Sequence, residues 1–493
     1  MKDLDSLLEG MPFSVRGPDL PAEVDGLSCD SRSLRPGDLF FCLRGARADG
    51  HRFAVEAASA GACAVIAETD LGVELARPLI QVPDTRRAMA VVAARFYDYP
   101  SRQVQVIGVT GTNGKTSTTY FTSSIFEHAG YPTGVIGTLG YRLGTEWSSA
   151  TMTTPESLDL QRYLRHMVDA RLRSVVMEVS SHALALHRVL GTEFHTVVFT
   201  NLGHDHLDFH GTLDEYRRAK ESLFFNGGDE LVSYGGGRIA VINRDDPVGR
   251  GILERTSLPT VTYGVGGEGD VRALGIDLGR DSTRMRIRFP DGEVPVQLRM
   301  PGRVNVYNAL AAAAAAAASL IPPEHIVSGL EAVHRVPGRM ESVEGGQPFA
   351  VIVDYAHNPP ALERLLVGVR EVTAGRVIVV FGCGGDRDRQ KRPEMGRLAG
   401  SVADHSVVTS DNPRTEEPAA IIREIVEGFE PGASYEVVVG RAEAIERAIE
   451  SARPGDSVVI AGKGHEDYQI LGDRRVHFDD REVARDILET KWR

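Results

Sequence analysis

The sequence predicts an α/β chain of three domains, at residues 1–98, 99–336 and 337–493, the middle one built as a P-loop on a parallel sheet. Three observations predict it. Short apolar, β-branched runs alternate with helix-compatible stretches along the chain, the pattern of parallel strands covered by helices on both faces. One such run, 104–109, meets a glycine loop and then a helix. The alternation breaks near residue 98 and again at Val336-Pro337-Gly338, where proline and glycine mark a hinge. At 493 residues the chain is also longer than one growing core sustains.

In chain order, residues 1–98 read as a small α/β unit. Turn signals at Asp30-Ser31-Arg32 and Arg35-Pro36-Gly37-Asp38 precede an apolar run at 39–43, a helix-like stretch at 53–60 and a strand at 62–67. The polar cluster 28–32 and the loop 45–50 can hold a ligand, or can simply cap turns.

The passage 104–117 follows. Gly111-Thr112-Asn113-Gly114-Lys115-Thr116 lies between a strand and a helix that runs to about His128. Glycines without Cβ let backbone N–H groups close on phosphate oxygens, the helix N-terminus adds positive potential, Lys115 brings a point charge and Thr116 a hydroxyl for Mg²⁺. The general P-loop pattern places a glycine where this chain has Val109, so the match is a narrower variant. Strands are expected at 174–179, 196–200 and 239–243, and a closely packed alanine-rich helix at 309–318. The densest polar stretch runs from Glu178 through Asn201, His204, Asp205, His206 and Asp208 to Lys220. A carboxylate and an imidazole at strand ends beside a triphosphate can bind Mg²⁺, which prefers oxygen donors.

The third segment restarts the alternation with strands at 350–353, 377–381, 405–409 and 457–461. Polar loops follow their C-terminal ends, where open α/β sheets gather ligands.

Composition excludes several classes. A net charge of −13 argues against a nucleic-acid partner. Cys29, Cys42, Cys63 and Cys383 lack metal-finger spacing, which suits free thiols in a reducing compartment. The N-terminus has no signal-peptide core, and the longest apolar run, 309–321, is short of the ~20 residues that span a bilayer. A cytoplasmic protein without membrane insertion, and a monomer, is expected.

Taken together, Thr153-Thr154-Pro155, Glu178-Val-Ser-Ser-His182, Asp205-His-Leu-Asp208, Tyr216 to Lys220, Gly338-Arg-Met-Glu341, Asp354-Tyr-Ala-His-Asn-Pro359, Asp411-Asn-Pro-Arg414 and Gly462-Lys-Gly-His-Glu466 resemble the Mur ligases, nearly end to end. The resemblance implies a three-domain Mur ligase architecture: a UDP-substrate-binding N-terminal domain, a central ATP-binding domain and a Rossmann-like, amino-acid-binding C-terminal domain. Within the family it points to the reaction that adds meso-diaminopimelate to UDP-N-acetylmuramoyl-L-Ala-D-Glu, with ATP, through an acyl phosphate. Lys115, Glu178, His206 and Lys220 are then the catalytic group. Gly111, Thr112, Asn113, Gly114, Lys115, Thr116, Ser117, Asn305, Arg339, Asp354 and His357 surround ATP. Thr116, Glu178, His206 and Lys220 serve Mg²⁺, with Lys220 carbamylated by CO₂ to N6-carboxylysine. Cys29, Ser31, Ala46, Arg47, Ala48, Thr153, Thr154, Ser180 and Arg188 are implied for the UDP-substrate. Here the chain departs from many relatives, with Leu186 where they carry glutamine.

Arg387, Asp411, Asn412, Pro413, Arg414, Gly462 and Glu466 are implied for diaminopimelate. Diaminopimelate is lysine with an extra carboxylate at its far end, so a selective pocket needs a cation there, and arginine pairs with carboxylate bidentately. The alternative is an L-lysine-adding or folylpolyglutamate-synthetase-like ligase, which shares the loop but not Asp411-Asn-Pro-Arg414. A nucleotide switch, the reading from outside the class, has no need of Glu178, His206 and Lys220 together.

Overall fold

Three large sheets follow one another along the chain in the computed structural model, which describes residues 1–45, 48–144, 146–225, 234, 237–279 and 282–492. The first holds β1 (Ser14–Arg16), β2 (Gly26–Ser28), β3 (Asp38–Phe41), β4 (Ala64–Ala67) and β5 (Leu79–Gln81) in the order β1-β5-β4-β3-β2, parallel except for β1. β3 and β4 are buried at every residue, which is why 39–41 and 64–67 read as unbroken apolar runs. Helix α1 (Thr85–Phe96) is capped by Asp84, whose side chain accepts from the Arg87 amide, and packs Ala88, Met89 and Val92 against Phe41 and Ile66.

The second sheet is built from β6 (Gln105–Thr110), helix α2 (Lys115–His128), β7 (Thr133–Gly137), β8 (Gly140–Leu143), β9 (Glu146–Ser148), helix α3 (Ser157–Asp169), β10 (Ser174–Glu178), β11 (Thr196–Phe199), helix α4 (Leu213–Glu221), β12 (Ile239–Asn243), β13 (Thr260–Gly264), β14 (Val271–Leu278), β15 (Thr283–Phe289) and β16 (Gly292–Leu298), followed by helices α5 (Arg303–Ala318) and α6 (Pro323–Ala332). Among the described residues it has eleven strands, in the order β9-β8-β7-β10-β6-β11-β12-β13-β14-β15-β16. Helices α2, α5 and α6 cover one face through Phe121 and Ile125, Leu310 and the alanines of 309–316, and Ile326 and Leu330; α3 covers the other through Leu160, Leu164 and Met167.

The middle of the central sheet is parallel, as expected, and its two edges turn antiparallel. The strands from β7 to β14 are parallel, whereas β8 and β9 on one edge and β15 and β16 on the other are antiparallel. The reason is burial. β15 buries Thr283, Met285, Ile287 and Phe289 and exposes Arg284, Arg286 and Arg288, the alternation of a sheet with one wet face.

The third sheet holds β17 (Glu341–Ser342), β18 (Ala350–Asp354), helix α7 (Pro359–Val372), β19 (Val377–Phe381), helix α8 (Lys391–Val402), β20 (His405–Val408), helix α9 (Pro418–Val426), β21 (Tyr435–Val437), helix α10 (Arg441–Ser451) and β22 (Ser457–Ala461), in the order β17-β18-β22-β19-β20-β21. A hairpin of β23 (Tyr468–Leu471) and β24 (Arg474–His477) and the last helix α11 (Asp480–Trp492) complete the chain. Helices α7, α8 and α9 pack on one face and α10 and α11 on the other. No helix among the described residues is long and apolar enough to cross a membrane.

Candidate active site

Strand register brings the polar segments together. Val109 of β6 pairs with Glu178 of β10, and Thr110 with Phe199 of β11, so the three strands end level and their following loops meet. Val109 itself is fully buried in the core, which explains a branched apolar residue at that position.

The loop after β6 turns on two glycines. Gly111 has φ +146° and Gly114 φ +85°, and a Cβ on either would lie 1.9 Å from Thr200 Oγ1 or 2.4 Å from Asn308 Oδ1. Neighbouring segments hold the loop open. The Thr112 amide donates to the Asn201 carbonyl at 2.8 Å, the Asn113 amide to Asn201 Oδ1 at 3.1 Å, and the Thr200 hydroxyl to the Asn113 carbonyl at 2.7 Å. The buried Tyr216 hydroxyl sits 3.0 Å from Thr112 Oγ1.

Two lysines converge beneath this loop. Lys115 Nζ donates to the carbonyls of Gly111 and Thr112 at 2.8 and 2.9 Å, and Lys220 Nζ donates to the same Gly111 carbonyl at 2.8 Å. Burial lowers the pKa of Lys115; burial and then the Lys115 charge drive Lys220 well below the usual lysine value. Lys220 is 1 % exposed and its amine also lies over the Tyr216 ring, 4.6 Å from the centroid.

Glu178 accepts from the Thr116 hydroxyl at 3.1 Å and the Thr138 amide at 2.8 Å, and Arg339 donates to Thr116 Oγ1 at 3.1 Å. His206 stands at φ +54° with its ring 4.7 Å from that of His182, and burial lowers its pKa, leaving a neutral imidazole able to ligate. Beside it, Asp205 accepts from Asn358 Nδ2 at 3.0 Å, which ties the N-cap of α7 to the central sheet's loops. Asp354 accepts from the Met340 and Ala356 amides, both at 2.8 Å, while burial raises its pKa. Burial, with the nearby Lys391 charge, pushes His357 down to about 4.

A cavity of about 770 Å³ joins these groups. Of the residues expected from sequence, it is lined by 112–117, Glu178, His206 and Lys220, by Asn305, by Arg339, Asp354 and His357, and by Thr153 and Ser180. Gly111 is turned away, its carbonyl given to the two lysines. Asn308, Tyr355 and Arg364 line it as well, without having been singled out from sequence. Asn308 falls three residues after Asn305, on the same helix face, and that spacing was the available signal.

The remaining expected residues lie elsewhere. Thr154 Oγ1 donates to the Glu178 carbonyl at 2.9 Å. Arg188 is 2.9 Å from Glu156 Oε1, and Arg86 of α1 donates to Glu156 Oε2 at 2.8 Å. Glu156 thus joins the first sheet's unit to the second, which sequence reasoning missed; a carboxylate directly after Thr153-Thr154-Pro155, at the mouth of α3, was the signal. Leu186 is half-buried on the same short segment as Arg188. Burial, reinforced by the Asp159 charge, raises the Cys29 thiol to about 12, so it stays neutral. Ser31 is half-exposed and Ala48 exposed; Ala46 and Arg47 lie outside the described residues.

The seven residues expected for the amino acid form a second cluster in the loops after β19, β20 and β22. Asn412 Nδ2 donates to Glu466 Oε2 at 2.9 Å, and Lys463 Nζ stands 3.4 Å from the same oxygen. Burial, then the Asp411 charge, raises the Glu466 pKa. Arg414 donates from Nη1 to the Gly385 carbonyl at 2.7 Å, just behind Pro413, and Arg387 is exposed beside it. Gly462 is at φ +120°, and a Cβ there would meet Asp411 Oδ2 at 2.8 Å. This cluster does not line the cavity. Tyr355 stands between: it lines the cavity, and its ring is 5.0 Å from that of His465, the neighbour of Glu466.

Among the described residues no group of three or more His, Cys, Asp or Glu stands ready to hold a metal. The oxygen donors Thr116 and Glu178 nevertheless suit Mg²⁺, and a carboxylated Lys220 would extend their set.

Family models match residues 23–97 (Mur ligase family, catalytic domain), 109–316 (Mur ligase middle domain) and 338–464 (Mur ligase, glutamate ligase domain). The chain is 44 % identical over 490 residues to a UDP-N-acetylmuramoyl-L-alanyl-D-glutamate--2,6-diaminopimelate ligase of Syntrophomonas wolfei, covering 99 % of each. It is 46 % identical over 490 residues to the protein of the same name in Geobacillus thermodenitrificans, again covering 99 % of each. A solved structure bearing that name is 31 % identical, with a TM-score of 0.66 over 95 % of both chains.

Proposed function

The chain belongs to the Mur ligase family, and from that premise we propose that it joins meso-diaminopimelate to the D-glutamyl carboxylate of UDP-N-acetylmuramoyl-L-Ala-D-Glu in peptidoglycan precursor synthesis. It is an ATP-dependent, ADP-forming ligase. The observation that carries the reading is the shared cavity, in which the glycine loop, Glu178, His206 and Lys220 face Arg339, Asp354 and His357 from beyond the hinge. A switch needs the loop alone; a carboxylate-activating ligase needs all of them.

In the first step a carboxylate oxygen of the substrate forms a bond to the γ-phosphorus, and the bond from that phosphorus to the β,γ-bridging oxygen breaks, giving acyl phosphate and ADP. In the second, the amine nitrogen attacks the acyl carbon and loses a proton, and the tetrahedral oxyanion collapses as the C–O bond to phosphate breaks. The chain's contribution is positioning and electrostatics. The amides of 111–117 cradle the phosphates, and Lys115 and Arg339 place cations where charge gathers. Asn305, Asp354 and His357 hold the rest of the nucleotide. Thr116 and Glu178 would hold one Mg²⁺, and Glu178, His206 and carbamylated Lys220 a second. Bound there, Mg²⁺ offsets charge on the transferred phosphoryl group.

We assign the division of labour to residues 1–98 for the nucleotide-sugar, 99–336 for ATP and 337–493 for the amino acid. Cys29, Ser31, the 46–48 loop, Thr153, Thr154, Ser180 and Arg188 would receive the muramyl substrate, and Arg387, the 411–414 motif, Gly462 and Glu466 the diaminopimelate. Closure that excludes water protects the acyl phosphate from hydrolysis.

The test is phosphate release with UDP-N-acetylmuramoyl-L-Ala-D-Glu and ATP present. Turnover is expected with meso-diaminopimelate and little with L-lysine; equal turnover would sink the reading. A second outcome concerns the loop. Gly111→Ala sets a methyl 1.9 Å from Thr200 Oγ1 and moves the carbonyl that both lysines use. Turnover should fall by about a hundredfold, the scale of a misplacement near 1 Å. Steady-state kinetics with titrated ATP checks it.

A further inference from the structure

The ion pair between Arg441 and Asp480 plays no part in the chemistry above. Both side chains are 0 % exposed. Arg441 Nε and Nη2 donate to Asp480 Oδ1 and Oδ2 at 2.7 and 2.6 Å. The same guanidinium donates to the Ser410 carbonyl at 3.3 Å and the Ala461 carbonyl at 3.1 Å.

Those two carbonyls are the informative contacts. Ser410 follows β20 and Ala461 ends β22, the strands that flank β19 on either side. The next residues are Asp411-Asn412 and Gly462. A Cβ on Gly462 would lie 2.8 Å from Asp411 Oδ2 and 3.9 Å from Arg441 Nη2, so loop, carboxylate and guanidinium meet at one point. Helices α10 and α11 both start there, since Arg441 opens one and Asp480 the other. A buried ion pair gives little net stability compared with packed apolar residues of the same volume. Bridging two loops with one rigid fork is a separate capacity, and lysine's single ammonium cannot reproduce it.

Two further carboxylates, Asp411 and Glu466, lie close enough to Arg441 to act on its charge, while Asp480 already holds the guanidinium.

We propose that Arg441, held by Asp480, is a positioning residue for the amino-acid substrate: it ties the ends of β20 and β22 together so that Asp411 and Glu466 receive one substrate ammonium. The inference rests on the assignment of Asp411, Gly462 and Glu466 to diaminopimelate.

The experiment compares wild-type enzyme with Arg441→Lys, measuring KM for ATP, for UDP-N-acetylmuramoyl-L-Ala-D-Glu and for meso-diaminopimelate. Arg441→Lys should raise the last by at least about tenfold, leaving the other two within about twofold and kcat less affected than KM. An unchanged KM for diaminopimelate, or a common rise in all three, overturns the positioning role while wild-type turnover with diaminopimelate leaves the substrate assignment standing. Wild-type turnover indifferent to diaminopimelate overturns both. Where Arg441→Lys does not fold, Asp480→Glu, which keeps the charge and lengthens the arm, is read by the same three constants.

Discussion

Lys220→Ala is expected to lower ADP formation by at least about a thousandfold, and formate or acetate at millimolar concentration to restore part of it, the scale of removing one preorganised charge from a water-excluded site. The argument starts from a crowded carbonyl. Lys115 and Lys220 each donate to the Gly111 oxygen at 2.8 Å, and two ammonium groups there repel in a medium that screens them weakly. Burial and the Lys115 charge ease the conflict by lowering Lys220 well below the ordinary lysine value, which favours its neutral amine. A neutral amine can attack CO₂: the N–C bond forms as one C=O π pair moves onto oxygen, an N–H proton leaves to solvent, and the product is a carbamate anion beside the Lys115 cation. Under the proposed function that anion would supply an oxygen ligand beside Glu178, where no group of three or more His, Cys, Asp or Glu stands ready among the described residues. Wild-type activity should accordingly fall in CO₂-depleted buffer and return with bicarbonate, whereas the rescued variant should ignore bicarbonate. An alanine variant with wild-type turnover, or one that no carboxylic acid rescues, removes the carbamate from the account.

The sequence displayed those parts of the site that are local. Residues 105–128 combine a buried strand, two glycines with forced backbone angles and a helix, and every step is legible within a few positions. The strands at Ile239–Asn243, Val377–Phe381 and Ser457–Ala461 match expectation at both ends because each has an unbroken apolar run of at least four residues bounded by turn residues. Less legible was anything depending on which face of a sheet is wet. The alternation Thr283-Arg-Met-Arg-Ile-Arg-Phe289 was present, yet the long parallel runs around it dominated the reading. Pairs remote in sequence left no local trace at all. Arg86 meets Glu156 across 70 residues, and Asn358 meets Asp205 across 153. Such contacts join units that each form from their own patterns, so no periodicity in either partner announces them.

Arg414→Gly should separate selectivity from stability. Arg414 holds φ +54°, a left-handed conformation that an arginine adopts only under constraint. The constraint is visible: its amide donates to the Ile470 carbonyl at 3.1 Å, and its own carbonyl accepts from the Gly472 amide at 2.8 Å, so the hairpin of β23 and β24 clamps the residue from both sides. Strain of this kind amounts to about 1–3 kcal/mol and persists where the side chain is needed. Glycine adopts the same angles freely, so the melting temperature of the variant should equal or exceed that of wild type despite the lost contact to the Gly385 carbonyl. Catalytic efficiency should move the other way. Under the proposed substrate assignment, the guanidinium pairs with the far carboxylate of diaminopimelate, and a site built for a polar group rejects a mismatched partner by about 10⁴-fold. Arg414→Gly should therefore lose about three to four orders of magnitude in kcat/KM for meso-diaminopimelate while kcat/KM for L-lysine, which lacks that carboxylate, stays level. Arg414→Lys should recover only a small part, since an ammonium offers a point charge in place of a bidentate fork. Unaltered preference for diaminopimelate over lysine in Arg414→Gly would show that the strain serves some other contact, and would move the search for the selective cation to Arg387.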